Sequence, residues 1–379
     1  MVDLGLAIGM SSIYLIVALA LAFIHFSVPL VYYYHLKSRW LNKPWNIEKD
    51  PSYRPKVAII IPTYNEVEFI RKKLDDIYAQ NYPRELVEVI IADSGSGDGT
   101  LEAIKEWMLA HMDLGLKLVV DMEKRGKLYA LLKALNYVPL DSEIVVFTDV
   151  DAFWEPSALS KMSSYFADPN VGSVTACIYY TDVDMHEEIY RNYYNVVRVA
   201  ESKIYATPVH NGPFLAIKAD LLRKYGLPDF PGSDDSSFGS FIAFAGYRAI
   251  QVEDIVVREP IRGSQVWRRI RRAHHLIINF ITTKKYAKRR GVYKYNSAFE
   301  RIWRIEWWLH IVNPWLLVKS VILLVLNAIF GSLIALIFIG AGLALLLLSN
   351  IYKVWILQQI YLVIAMVRSL WMKEMVWRK

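Results

Sequence analysis

The sequence predicts an α/β domain with a mostly parallel sheet, set between apolar helical ends suited to a membrane. Short β-branched runs alternate with helical periodicity between residues 56 and 151. The two ends are long and nearly free of charge, whereas the middle has the mixed composition of a soluble protein. Basic residues cluster where the apolar stretches meet that middle.

Residues 4–36 are almost uncharged and are interrupted only by Pro29. A membrane crossing needs roughly 20 apolar residues, so residues 1–36 hold one span with room for tilt. The run is too long for a cleaved signal peptide and lacks its basic leader. Only Asp3 precedes the span, while Lys37, Arg39 and Lys43 follow it. The positive-inside rule therefore puts the next segment, residues 37–262, in the cytoplasm.

Within that segment, residues 56–62 form a continuous apolar run closed by Pro62, the pattern of a strand buried on both faces. Helical periodicity covers 66–79, 100–111 and 127–137, and further strands cover 87–92, 117–120 and 143–148. The order implies a Rossmann-like sheet with helices on both sides and ligands at the carboxyl ends of the strands. The first strand lacks the Gly-x-Gly-x-x-Gly turn of dinucleotide enzymes.

Residues 263–308 mix Arg268, Arg269, Arg271 and Arg272, and later Lys284, Lys285, Lys288, Arg289 and Arg290, with Ile, Phe and Trp. Trp303, Trp307 and Trp308 fall at helical spacing, and Trp prefers the headgroup level. Amphipathic helices in the cytoplasmic interface are expected here, with a solvated basic helix as the plain alternative. Residues 309–379 hold two or three further spans. The stretch 310–350 is too long for one helix and is expected to turn at Gly331-Ser332, with Lys319 snorkelling. Read so, the chain has four spans in all; the alternative of three spans puts the basic tail Lys373, Arg378 and Lys379 on the cytoplasmic side.

The net charge is +7. Because the basic runs border apolar segments, they point to anionic membrane lipids and away from nucleic acid. The single cysteine, Cys177, allows no intramolecular disulfide and offers no metal-ligand spacing.

The chemistry-bearing residues sit at strand ends. Asp149-Val150-Asp151 follows the buried run 144–147. Two carboxylates there can hold Mg²⁺ or Mn²⁺, which neutralises the charge developing on a nucleotide diphosphate leaving group. A surface turn is the plain alternative. Pro62-Thr63-Tyr64-Asn65-Glu66 and Asp93 end two other strands. Tyr64 can stack on a base while Glu66 and Asp93 accept hydrogen bonds, although Asp93 can equally cap its own turn. Lys127, in Lys124-Arg125-Gly126-Lys127, starts a helix where dipole and charge suit a phosphate. Asp234-Asp235 supplies a carboxylate pair, and one carboxylate beside another titrates higher, as a base requires. Gln265, Arg268 and Arg269 offer an amide and guanidinium groups for a diphosphate.

Taken in this order, the residues resemble the family-2 glycosyltransferases, an inverting group with the GT-A fold that includes cellulose, chitin and hyaluronan synthases and dolichol-phosphate sugar synthases. The resemblance runs from about residue 55 to 269. It implies a donor site at Pro62, Thr63, Tyr64, Glu66, Asp93, Lys127 and Asp149, joined by Gln265, Arg268 and Arg269. It also implies a metal at Asp149 and Asp151, and a catalytic base at Asp235 beside Asp234. Asn211-Gly212-Pro213-Phe214 is similar to the segment lining the acceptor site, and Glu259-Pro260 followed by Gln265 is similar to hyaluronan synthases. Processive members carry Gln-x-x-Arg-Trp; here Arg269 replaces that tryptophan, and Trp267 is the candidate substitute at the acceptor.

The expectation is a membrane-bound, metal-dependent glycosyltransferase that takes a sugar from a UDP- or GDP-sugar to a lipid-linked or other membrane-associated acceptor. A processive polysaccharide synthase is the alternative within the enzyme class. A non-catalytic scaffold with a decayed site is disfavoured, because each expected carboxylate is present.

Overall fold

A computed structural model describes residues 2–122, 126–182 and 184–371, with side chains from residue 13 onward. Lys124, Arg125 and the basic tail Lys373, Arg378 and Lys379 lie outside the described residues.

Four parallel strands form one half of the sheet: β1 (Val57–Thr63), β2 (Val87–Asp93), β3 (Gly115–Val120) and β4 (Ile144–Phe147). The remaining strands are β5 (Phe153–Trp154), β6 (Val171–Tyr180), β7 (Leu215–Lys218) and β8 (Arg248–Glu259), giving the order β3-β2-β1-β4-β7-β6-β8-β5. β7 runs antiparallel between β4 and β6.

The apolarity of each strand follows its place. β1 is central, and its alternate side chains serve two cores. Val57, Ile59 and Ile61 face α2 (Ile70–Tyr78) and α3 (Thr100–Ala110), whereas Ala58 and Ile60 face α4 (Lys127–Leu135). β3 lies at the edge and alternates between covered and exposed positions, as a half-covered strand does. β1 is flanked by β2 on one side and β4 on the other, so the chain leaves these strands in opposite directions. The crevice this opens at their carboxyl ends receives residues 62–66 and 149–151.

Beyond the parallel half come α5 (Ala158–Phe166), α6 (Met185–Ile204), α7 (Ala219–Tyr225), α8 (Asp235–Phe244), α9 (Gln265–Ile278), α10 (Lys284–Arg289) and α11 (Ser297–Trp307). The chain ends in α12 (Asn313–Ile329), α13 (Leu333–Leu348) and α14 (Asn350–Ser369), and it begins with α1 (Val2–Arg39). Among the described residues three helices are long and apolar enough to cross a membrane: Ile13–Arg39, Ser297–Ile329 and Asn350–Ser369. α13 is apolar but only 16 residues long. α12 stops just before Gly331, whose φ of 84° suits a residue without Cβ, and the Ser332 side chain caps α13.

The helices between residues 263 and 308 are amphipathic, but their apolar faces meet protein. Ile270, Ala273 and Ile277 of α9 pack on Tyr361, Leu362 and Ala365 of α14. Trp303, expected at the headgroup level, is 3% exposed and sits 4.7 Å from the Phe244 ring in the core beneath α8. The surface of α8 offers this tryptophan an apolar seat, and only Trp307 of the three is exposed. α1 is tied to the α/β domain as well: the Tyr32 hydroxyl donates to Glu201 of α6 at 2.6 Å.

Candidate active site

The site is built on β4. Its four residues are buried, and beyond them the Thr148 hydroxyl donates to the Pro213 carbonyl at 2.9 Å, fixing where the strand ends. Asp149 and Asp151 follow, each facing a cation from a different element. Lys127 Nζ donates to Asp149 Oδ1 at 2.8 Å. Arg262 Nη1 donates to Asp151 Oδ2 at 3.1 Å and to Glu66 Oε2 at 2.9 Å. Burial raises the Asp151 carboxyl above its usual range, and the charge of Asp149 adds to this. Burial works against the Lys127 charge, but Asp149 and Asp235 hold the ammonium above its ordinary value.

Asp234 and Asp235 open α8. Asp234 caps the helix by accepting from the Ser236 and Ser237 amides, and its other oxygen lies 3.3 Å from His275 Nδ1. That leaves Asp235 at the first helical position with its carboxylate 3.8 Å from Lys127 Nζ. Burial pushes Asp235 up to about 6, with Asp234 and Asp149 adding to the rise and Lys127 and His275 opposing it. Gly212 makes room: a Cβ there would fall 2.2 Å from Asp235 Oδ2.

These groups line one cavity of about 290 Å³. Lys127, Asp149, Asp151, Asn211, Gly212, Asp234, Asp235 and Arg268 all face it. The Asn211 side chain is fully used in shaping the wall. Its oxygen accepts from Arg198 at 2.9 Å and Arg191 at 3.3 Å, and its nitrogen donates to Ala176 and Gln251. Asn211 therefore sets two guanidinium groups in place.

The other expected site residues stand elsewhere. Pro62, Thr63, Tyr64, Glu66 and Asp93 do not line the cavity, and Glu66 is joined to it through Arg262. Asp93 is buried and accepts from the Gly95 and Ser96 amides and the Ser96 hydroxyl, so here it shapes its own turn. Gln265 donates to the Arg262 and Gly263 carbonyls and accepts from Arg268 at 2.9 Å, stiffening the start of α9. The structure does not bring Arg269 or Trp267 into the cavity. Arg269 turns to Glu187, at 2.7 Å, an acid that Arg272 also reaches at 3.2 Å. Trp267 is 56% exposed, with Arg368 4.9 Å above its ring.

Arg262, Arg191, Arg198 and His275 also stand at the site and had no part in the sequence motifs, whereas Arg271 and Arg272 were read only as part of a basic interfacial cluster and Glu259 only as part of a hyaluronan-synthase-like segment. Positions 268, 271, 272 and 275 recur at one helical face, a signal that also fits a membrane-surface helix. Burial pushes Glu259 up to about 7, helped by Asp151 and Asp149 and opposed by Arg191.

The chemistry of the Asp149–Asp151 pair fits a hard divalent cation. Both are oxygen donors at one strand end, and each already neutralises a positive charge. Among the described residues no group of three or more His, Cys, Asp or Glu forms a protein-only metal cage. Such a cation would therefore take its remaining ligands from phosphate oxygens and water, as Mg²⁺ commonly does.

Residues 58–226 match the family described as Glycosyl transferase family 2. A mannosyltransferase from Pyrobaculum calidifontis, solved in complex with GDP-Man and Mn²⁺, is 42% identical with a TM-score of 0.84. The match covers 94% of this chain and 99% of that one. The chain belongs to glycosyltransferase family 2. Its sheet and helices are the GT-A fold of that family. Two curated relatives match over shorter stretches. A dolichyl N-acetyl-α-D-glucosaminyl phosphate 3-β-D-2,3-diacetamido-2,3-dideoxy-β-D-glucuronosyltransferase from Methanococcus voltae is 42% identical over 20% of this chain. A hyaluronan synthase from Streptococcus pyogenes is 27% identical over 47% of it. These matches span 23% and 46% of those relatives' own lengths, less than half of either family 2 protein.

Proposed function

We propose that this family 2 enzyme transfers mannose, with inversion, from GDP-mannose to a membrane-associated lipid acceptor, with its catalytic domain on the cytoplasmic face. One observation carries the reading. Lys127 stands between the leaving-group side of the cavity and the attacking side, 2.8 Å from Asp149 and 3.8 Å from Asp235. In this reading Asp235 takes the proton from the acceptor hydroxyl as that oxygen attacks the sugar's anomeric carbon and the bond to the diphosphate breaks. Asp149 and Asp151 would hold Mn²⁺ or Mg²⁺, which supplies charge neutralisation to the departing diphosphate. Lys127 and Arg268 steady the phosphate oxygens, while Asp234 anchors the helix that presents the base and keeps its proton affinity high.

GDP-mannose as donor is supported by the ligand of the Pyrobaculum calidifontis mannosyltransferase. A lipid acceptor is supported by the position of α9, which carries cavity arginines on one face and packs on the apolar helix α14 with the other. The dolichyl-linked substrate in the Methanococcus voltae relative's name agrees with it. The second reading, a processive synthase, is favoured by the Gln265–Arg268 pair and the hyaluronan synthase match. It is disfavoured by Arg269, which bonds Glu187 where processive members carry tryptophan.

The test is incubation of the purified protein in lipid vesicles with Mn²⁺ or Mg²⁺ and labelled GDP- and UDP-sugars, followed by organic extraction and sizing. An extractable glycolipid bearing one mannose supports the reading. A high-molecular-weight ladder formed from donor alone overturns it in favour of the synthase.

A further inference from the structure

Arg262 has no part in the sequence motifs, yet it is the group that occupies Asp151. It lies between β8 and α9, next to Gly263, whose φ is 59°. One guanidinium nitrogen spans Asp151 Oδ2 at 3.1 Å and Glu66 Oε2 at 2.9 Å, joining the end of β4 to the loop after β1. The guanidinium also lies 4.5 Å from the Phe69 ring, a third point of support. Gln265 donates to the carbonyls of Arg262 and Gly263, so the loop is tied to the first turn of α9, which carries Arg268.

A carboxylate oxygen that accepts a guanidinium hydrogen bond cannot give the same lone pair to a metal. The positive charge beside it also repels a second cation. We propose that Arg262 is a built-in competitor of the divalent cation. In the donor-free enzyme it holds the Asp151 position, so metal binds well only when a nucleotide diphosphate arrives with it. When the metal and the diphosphate enter together, the guanidinium leaves Asp151 and remains held by Glu66. Arg262 is in this sense a positioning residue that makes loading of metal and donor concerted, and Glu66 is its resting partner.

The proposal rests on Asp149 and Asp151 being the metal ligands, and the experiment separates the two claims. Mn²⁺ affinity is measured by electron paramagnetic resonance on the full chain in detergent or nanodiscs, with and without GDP, for wild type, Arg262→Ala, Arg262→Lys and Asp151→Ala. In wild type, Mn²⁺ alone binds weakly and GDP strengthens it. Removing the competitor in Arg262→Ala tightens Mn²⁺ binding without GDP by roughly five-fold, the scale of one partly exposed ion pair, and shrinks the GDP effect by the same factor. Arg262→Lys, which keeps the charge, stays near wild type. Equal or weaker Mn²⁺ binding in Arg262→Ala overturns the proposal if Asp151→Ala has lost Mn²⁺ binding. Undiminished binding in Asp151→Ala overturns the metal assignment itself. The thermal midpoint of each variant shows that it is folded, and Arg262→Gln repeats the charge removal should Arg262→Ala fail to fold.

Discussion

Gly212 and Asp235 are held so close that a single methyl group cannot be added between them: a Cβ on residue 212 would fall 2.2 Å from Asp235 Oδ2. The backbone of the segment after Asn211 is thus one wall of the slot that aims the carboxylate. Gly212→Ala must push Asp235 aside. Displacement of a reacting group by about 1 Å can cost on the order of 10²-fold in rate. Turnover is expected to fall by about that factor while nucleotide affinity changes little, as read by kcat and by titration with GDP. An alanine variant with wild-type kcat would show that the carboxylate position is not critical.

With Asp235 as the proposed base, burial that pushes its carboxyl up to about 6 sets the expected pH dependence. A base must be deprotonated, so kcat is expected to be level above that value and to fall about tenfold per unit below it. Asp234→Asn removes one of the charges that raise Asp235, yet keeps a side chain able to cap α8. Its acid limb is expected at lower pH than in wild type. Glu259→Gln, which removes another cavity carboxyl that burial raises, to about 7, is expected to leave the limb in place. A limb that moves with Glu259 and not with Asp234 would assign the titration to the wrong side of this cavity.

With Asp149 and Asp151 as the proposed metal ligands, Asp151→Asn is expected to reduce turnover by on the order of 10³-fold, because it removes one of the two charges that would hold the cation at the diphosphate. Excess Mn²⁺ should recover little of the loss. Full recovery at high Mn²⁺ would mean that Asp149 alone suffices.

Trp303 offers a test of how the helices after residue 263 are seated. It packs on Phe244, Phe280 and Phe299, buried beneath α8. Trp303→Ala should destabilise the protein by about 3–5 kcal/mol, visible as a lower thermal midpoint in detergent. A tryptophan seated only at lipid headgroups would give almost no change there.

The parallel half of the fold was legible because its signal is local. Ile59, Ile60 and Ile61 must be covered on both sides wherever the rest of the chain goes, and Asp149 and Asp151 follow such a run directly. The turn at Gly331-Ser332 was legible for the same reason, since a helix of that length has to break. What could not be read was set by distant partners. The partner that Arg269 takes is Glu187, 82 positions earlier. Arg191 and Arg198 look like ordinary charges of an amphipathic helix until Asn211 gathers them. Arg262 acquires meaning only when β1 and β4 lie side by side and bring Glu66 and Asp151 to one guanidinium. Trp303 follows the periodicity of a surface helix, and nothing local tells a lipid face from a protein face.

The most direct test of the account compares wild type with Asp235→Asn in vesicles, measuring GDP-mannose affinity by calorimetry and, in parallel, single-turnover transfer of labelled mannose into extractable lipid. The account predicts that Asp235→Asn binds GDP-mannose within a few-fold of wild type and transfers no mannose. Transfer by Asp235→Asn at the wild-type rate, or a collapse of its donor affinity, would contradict the assignment of Asp235 as the base.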